Sequence, residues 1–287
     1  MSEKKKLVIS FSGGRTSAYM MWWLYNEWED RDNWEMVTVF ANTGKEVEGT
    51  LFFVDECSQE WGIPIIWVEA KCKDKNGVPF SEKGWSVKHH IVTYETASRK
   101  GEPFEEMISI LGIPRQTAPF CSQQLKREPI KSFAKYIGWE DFYTAIGVRF
   151  DEQNRVNDNW VSNKIMYPFI FNNPTTKRQV KEWWDKQSFD LNIHPDEGNC
   201  DNCWKKDFPR LARNMVRVPK TFDWWEEMIS VYGGFNPRQE DNPSYTFFRG
   251  GKSVTDIREM AKMSQAQLKQ ITMFDPIDSC SESCEVF

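Results

Sequence analysis

A chain of 287 residues with 40% hydrophobic and 28% charged side chains has the composition of a folded globular protein, sized for one large domain or a domain with an appendage. Its net charge of -5 gives no global attraction to nucleic acid. No apolar run is long enough for a membrane span, and the very short one behind the basic N-terminus is no signal peptide, so a cytoplasmic protein is expected. Seven cysteines, an odd number without a secretion signal, argue against a disulfide framework and for metal, cluster or redox use of some of them. The 14 tryptophans and 20 phenylalanines read as core filling before they read as base-stacking surfaces.

The opening stretch LVISFSGGRTSAYMMWWL begins with a short run rich in β-branched and aromatic residues that stops at paired glycines. Residues 7–11 therefore read as a buried strand, and the segment behind the glycines as a helix. A strand that delivers Gly13, Gly14 and the hydroxyls of Ser12, Thr16 and Ser17 to a helix N-terminus gathers free backbone N–H groups at the positive end of a helix dipole, which suits a phosphate. The plainer reading is a strand-to-helix turn in which glycine supplies a positive φ. Neither the dinucleotide fingerprint nor the P-loop spacing is present.

The pattern repeats in WEMVTVFANTG, where a strand over 36–41 ends at Asn42, Thr43 and Gly44, before a helix over 46–61 and a third strand in IPIIWVEA. Strands and helices alternating at short spacing predict βαβ units and a parallel sheet covered on both faces. Ligands of such sheets sit at the carboxyl ends of the strands, where both glycine turns fall. Residues 72–100 are polar and turn-rich and read as a loop insertion; they include His89 and His90, a pair that is catalytic in some sites and mere packing in more. FCSQQLKREPIKSFAKYIGW reads as a helix with Cys121 near its start and Lys126 and Arg127 one turn on. A strand over 142–146 then breaks at Gly147 into charged residues, and a helix capped by Thr175 or Thr176 follows. Beyond GNCDNCWKK the pattern loosens into a helical region over 209–274 and an acidic tail holding Cys280 and Cys284. The expected fold is α/β: a doubly wound, mostly parallel sheet of five or six strands flanked by helices, with a mainly helical C-terminal region.

SFSGGRTSAYM, FANTGKEVEGTLFFVDE, CSQQLKREP, IGVRFDEQNR, MYPFIF and GNCDNCWKK occur in that order. As an ordered set they resemble the phosphoadenosine phosphosulfate (PAPS) reductase family, within the N-type ATP pyrophosphatases of adenine nucleotide alpha-hydrolase-like fold. The resemblance covers roughly residues 7–206 and implies a nucleotide-binding domain over 1–206, with 207–287 as a helical extension. It implies that Ser12, Gly13, Gly14, Arg15, Thr16 and Ser17 form the loop for phosphate or pyrophosphate, and that Asn42, Thr43 and Gly44 line the nucleoside. Gly147, Arg149, Asp151 and Arg155 would add charge at the polyphosphate, with Arg149 and Lys126 catalytic. Thr16 stands where the pyrophosphatase loop usually carries Asp. The reductases end in a lone catalytic cysteine beside Glu and Gly-Leu-His, where this chain has Cys280-x-x-x-Cys284 and Cys284 is the candidate nucleophile.

The resemblance further implies ATP or a sulfonucleotide (PAPS or APS) as ligand, Mg²⁺ carried with ATP and held in part by Asp151, and an adenine nucleotide as first partner. A nucleic-acid or small-molecule acceptor and a second copy of the chain in a homodimer complete the expected partners. Cys200-x-x-Cys203 has the spacing used for zinc, iron–sulfur clusters and redox disulfides. Its place is similar to that in family members where a cysteine near the position of Cys121 joins a later C-x-x-C around a 4Fe-4S cluster. The fourth ligand would be Cys284 or Cys280, with zinc as the alternative metal. The function this implies is substrate adenylation or sulfur transfer, with a true sulfonucleotide reductase or a non-catalytic nucleotide- or nucleic-acid-binding protein as rivals.

Overall fold

The computed structural model describes residues 3–80, 87–114, 119–234, 246–263 and residue 267. Cys280 and Cys284 lie outside the described residues. Six strands, β1 (Lys5–Phe11), β2 (Trp34–Asn42), β3 (Ile65–Lys71), β4 (Lys88–Val92), β5 (Tyr143–Ile146) and β6 (Ile165–Met166), form one sheet in the order β4-β3-β2-β1-β5-β6. All neighbours pair in parallel except β3 with β4. β1 lies at the centre, and its continuous apolar run is explained by burial on both sides: Leu7, Val8 and Ile9 have no solvent exposure. Even so, its side chains alternate between layers, with Leu7, Ile9 and Phe11 in one core and Val8 in the other.

The first core lies under α1 (Arg15–Asn26), α2 (Glu48–Trp61) and, later in the chain, residues 177–184. Much of the tryptophan excess sits here, Trp61, Trp183 and Trp184 packing around Phe189 and Tyr19. A short helix α3 (Glu102–Leu111) precedes a longer helical stretch made of α4 (Phe120–Ser122), a π-helical turn (Gln123–Arg127) and α5 (Glu128–Tyr136). α5 packs Ile130, Phe133 and Ala134 on Val8, Val39 and Val68 across the opposite face. After β6 come α6 (Pro168–Phe171) and α7 (Lys177–Trp184). Thr176 caps α7 reciprocally with Gln179.

The region read as a loop insertion contributes the edge strand β4, which pairs Ala70 with His89 and Glu69 with His90. A five-residue edge strand of three polar residues followed by Ile91 and Val92 shows no apolar alternation, so it is hidden in the sequence. His89 Nδ1 lies 2.9 Å from Ser132 Oγ on α5, and burial together with neighbouring His90 pushes its imidazole below the usual range. The C-terminal helices α8 (Phe208–Arg217), α9 (Asp223–Tyr232) and α10 (Val254–Met260) share another core with α3, Leu125 of the π turn and Trp204. No helix among the described residues is long and apolar enough to cross a membrane.

Candidate functional site

The chain runs from β1 outward to β4, then returns to place β5 on the other side of β1, so strand order reverses between β1 and β5. A crevice at such a reversal opens at the carboxyl ends of the strands. Behind β1, Gly13 takes φ +80° and Gly14 forms the N-cap of α1 with no side chain closing the first turn. A Cβ on Gly13 would meet Thr50 Cγ2 of α2 at 2.7 Å, so glycine is required both for its φ and for the close approach of α2. Ser17 holds the loop in shape: its hydroxyl accepts from Ser12 N–H at 3.2 Å, lies 2.8 Å from Ser12 Oγ and donates to Gly14 O at 3.0 Å.

From β5, the Val148 N–H donates to Ile146 O at 3.0 Å, a tight turn about Gly147 that aims Arg149 back at this loop. The guanidinium is buried, with Nε 3.2 Å from Asp151, Nη2 3.0 Å from Glu152 and Nη1 3.4 Å from Thr16 Oγ1. Thr16 is thus an acceptor for Arg149. Asp151 also accepts from the Lys177 N–H at 3.1 Å, and Arg155 pairs with Glu152 at 3.0 Å, so these three groups serve to fix Arg149.

At the end of β2, Asn42 is fully buried and donates to Glu69 at 2.6 Å and to Ser98 O at 2.9 Å, while its Oδ1 accepts from Gly44 N–H at 3.1 Å. Asn42 shapes the loop. Thr43 turns through a carboxylate three residues on: Glu46 Oε2 accepts from both its N–H and its hydroxyl at 2.8 Å. The other oxygen of Glu46 faces Lys126 Nζ at 3.7 Å and accepts from the Cys200 thiol at 3.5 Å. The π turn, an irregularity frequent at functional sites, thereby directs Lys126 to the crevice.

The Cys200–Cys203 segment closes this end. Asn199 Nδ2 donates to Ser12 O at 2.5 Å, Val47 N–H donates to Asn199 O at 2.8 Å, and buried Lys206 donates to Cys200 O at 2.7 Å. The two residues between the cysteines face inward. Asp201 meets Lys45 at 3.0 Å and accepts from Trp225 Nε1 at 3.0 Å; burial pushes its carboxyl up against the pull of Lys45. Asn202, at φ +36°, donates to Thr221 at 2.6 Å.

The structure brings Ser12, Gly13, Gly14, Thr16, Ser17, Thr43, Lys126, Arg149 and Cys200 to one end of the sheet, and turns Arg15 away. Arg15 forms a two-pronged pair with Asp190 at 2.6 and 2.9 Å and donates to Leu191 O at 2.8 Å, pinning α1 to the segment behind α7. Cys121 packs on the C-terminal core, and no three His, Cys, Asp or Glu groups among the described residues converge into a set that would hold a metal. The described cysteines alone do not fit a cluster or a zinc ion. Cys57 and Cys72 are buried, with burial pushing the Cys57 thiol well above its usual range and the Cys72 thiol up to about 12.

Two relatives resemble the chain. It is 29% identical, across 98% of its length and 94% of the relative's, to an uncharacterized nin region protein of Escherichia phage lambda. It is 23% identical, across 80% of its length and 42% of the relative's, to an uncharacterized protein of Methanocaldococcus jannaschii. No family profile matches the chain.

Glu46, Asn199, Asp201 and Lys206 escape a reading by motif. For Glu46 a signal existed, since Thr43-x-x-Glu46 is the spacing at which a carboxylate reaches back to its own turn. Asn199 and Asp201 meet partners far away in sequence, Ser12 and Lys45, and Lys206 meets a backbone carbonyl; periodicity reveals none of these contacts.

Proposed function

We propose that the chain is an enzyme that binds an adenine nucleotide, ATP or a sulfonucleotide, at the Ser12–Ser17 loop and uses it for substrate adenylation or sulfur transfer in the cytoplasm. The observation that carries this reading is the contact between Arg149 and Thr16 across the strand-order reversal, which puts a buried, carboxylate-fixed guanidinium beside a helix N-terminus without a side-chain cap. Backbone donors plus an arginine fork are what a polyphosphate needs. In adenylation a substrate oxygen attacks the α-phosphorus, the bond to the β-phosphate oxygen breaks, and pyrophosphate leaves with that electron pair. Charge grows on the leaving group, and the loop N–H groups with Arg149 and Lys126 would hold it. Mg²⁺ arriving with ATP would share that charge.

A sulfur-bearing nucleotide is the second reading, favoured by the Cys200 thiol standing 3.5 Å from Glu46 and 4.0 Å from Lys126 at the crevice. Isothermal titration with ATP, PAPS and APS, followed by α-labelled ATP with magnesium and candidate acceptors, tests both readings. Binding of ATP with acceptor-dependent pyrophosphate release supports the first; sulfite release from PAPS or APS that is lost in Cys200→Ser, Cys280→Ser or Cys284→Ser supports the second. Absence of binding by all three nucleotides would refute the assignment. Iron and zinc content of anaerobically purified protein tests the cluster expectation separately.

A further inference from the structure

Arg127, Lys131 and Lys135 recur at four-residue spacing from the π turn along α5, so they share one face. They line a cleft of about 380 Å³ whose opposite wall includes Asn157, Asn163 and Lys164. Adjacent residues of the π turn therefore diverge: Lys126 faces the crevice and Arg127 the cleft. Acidic groups touch part of this cationic row, and Glu140 stands with Asp141 in the lining. Glu128 pairs with Arg127 at 3.0 Å and Asp141 with Lys164, but Lys131 and Lys135 make no ion pair among the described residues. Lys131 is half-buried, and burial with the neighbouring charges of Arg127 and Lys135 pulls its ammonium below the usual range despite Glu128. Like charges at four-residue spacing weaken a helix slightly, and an anion in the cleft would relieve the repulsion between Lys131 and Lys135. Lys164 enters the wall at φ +52°, a backbone state unfavourable for a side chain of its kind.

We propose that this cleft seats the sugar–phosphate backbone of a single-stranded nucleic acid, independently of what the nucleotide crevice binds. From Arg127 to Lys135 the row extends roughly 12 Å along the helix, more than one phosphate group covers. A concave cleft admits one strand, whereas duplex readers present a convex helix or ribbon to a groove.

Fluorescence anisotropy with labelled 12-nucleotide DNA and RNA strands tests this. Three phosphate contacts on a single strand predict that affinity falls about twentyfold between 50 and 200 mM salt. In Lys131→Ala/Lys135→Ala the drop shrinks to about threefold and low-salt binding weakens, while Glu140→Gln, which removes a rim carboxylate, tightens it. Circular dichroism melting verifies that the variants fold, and folded Gly13→Ala, whose strain falls on the nucleotide loop and its packing against α2 and not on the cleft, should retain strand binding. No strand binding by the wild type, equal binding by the double variant, or displacement of the strand by equimolar inorganic phosphate or ATP would overturn the proposal.

Discussion

Arg149 Nη1 lies 3.4 Å from Thr16 Oγ1, joining the ends of β5 and β1 over the crevice where strand order reverses. Two carboxylates hold this guanidinium, so its position is fixed before any ligand arrives. Arg149→Lys keeps the charge but not the fork. We expect it to weaken ATP or PAPS binding by about tenfold, the worth of one charge-assisted hydrogen bond, with titration calorimetry as the measurement. Arg149→Ala should lose more than that and also lower the melting temperature, because Glu152, largely buried, then keeps Arg155 as its charged partner with the backbone N–H of residue 149.

Gly13→Ala tests the loop itself. A left-handed φ costs an alanine about 1–2 kcal/mol. Overlap with Thr50 Cγ2 adds about 1–3 kcal/mol. Urea denaturation should show both terms in the single variant. Measured against Thr50→Ala, Gly13→Ala/Thr50→Ala should lose most of the overlap term, since the closest methyl is gone and Phe40 Cε2 and Val54 Cγ2 lie at 3.2 and 3.3 Å; additive losses in the double variant would contradict the geometry.

Arg15 separates resemblance from structure. Its place in the glycine loop implies a phosphate ligand, yet its guanidinium is committed to Asp190 and Leu191 O. Arg15→Ala should therefore cost about 1 kcal/mol of stability, modest because Asp190 is half-exposed. Nucleotide affinity should change less than twofold, and a tenfold loss would restore Arg15 to the ligand set.

These contrasts show what a sequence carries. The central strands were legible because burial on both faces demands apolar residues such as Leu7, Val8 and Ile9, and because Gly13 marks a turn no other residue makes as easily. Thr176 was legible because a capping box lies within four residues. The strand β4 was not, since an edge needs no apolar alternation. Nor was the lattice that ties Asn199 to Ser12 or Asp201 to Lys45, because partners about 160 to 190 residues apart leave no periodic trace.

The cysteines divide by environment. Cys57 and Cys72 sit in apolar cores with thiols pushed up, Cys72 to about 12, so at pH 8 roughly one Cys72 in ten thousand is a thiolate. Cys121, Cys200 and Cys203 are only half-buried. Iodoacetamide followed by peptide mass spectrometry should modify these three in the native protein and reach Cys57 and Cys72 only after unfolding. Native-state labelling of Cys57 or Cys72 would contradict the packing described.

Asp196 links pH to the integrity of the crevice wall. Arg213 of α8 grips it through two bonds, Nε to Oδ2 at 2.8 Å and Nη2 to Oδ1 at 2.6 Å, three residues before Asn199 reaches Ser12. The hydrogen bonds from Arg213 hold the Asp196 carboxyl below its usual range. A carboxyl depressed in the folded state stabilises fully above its unfolded pKa, about 3.9, and that contribution fades as pH falls through the folded value. Arg213→Ala should therefore cost about 1 kcal/mol at pH 7, a figure reduced for the partial exposure of Arg213. Urea denaturation of the two proteins from pH 7 downward should show the gap constant to about pH 5 and closing below about pH 4. A gap that persists unchanged at pH 3 would assign the loss to packing of the arginine stem instead of the ion pair.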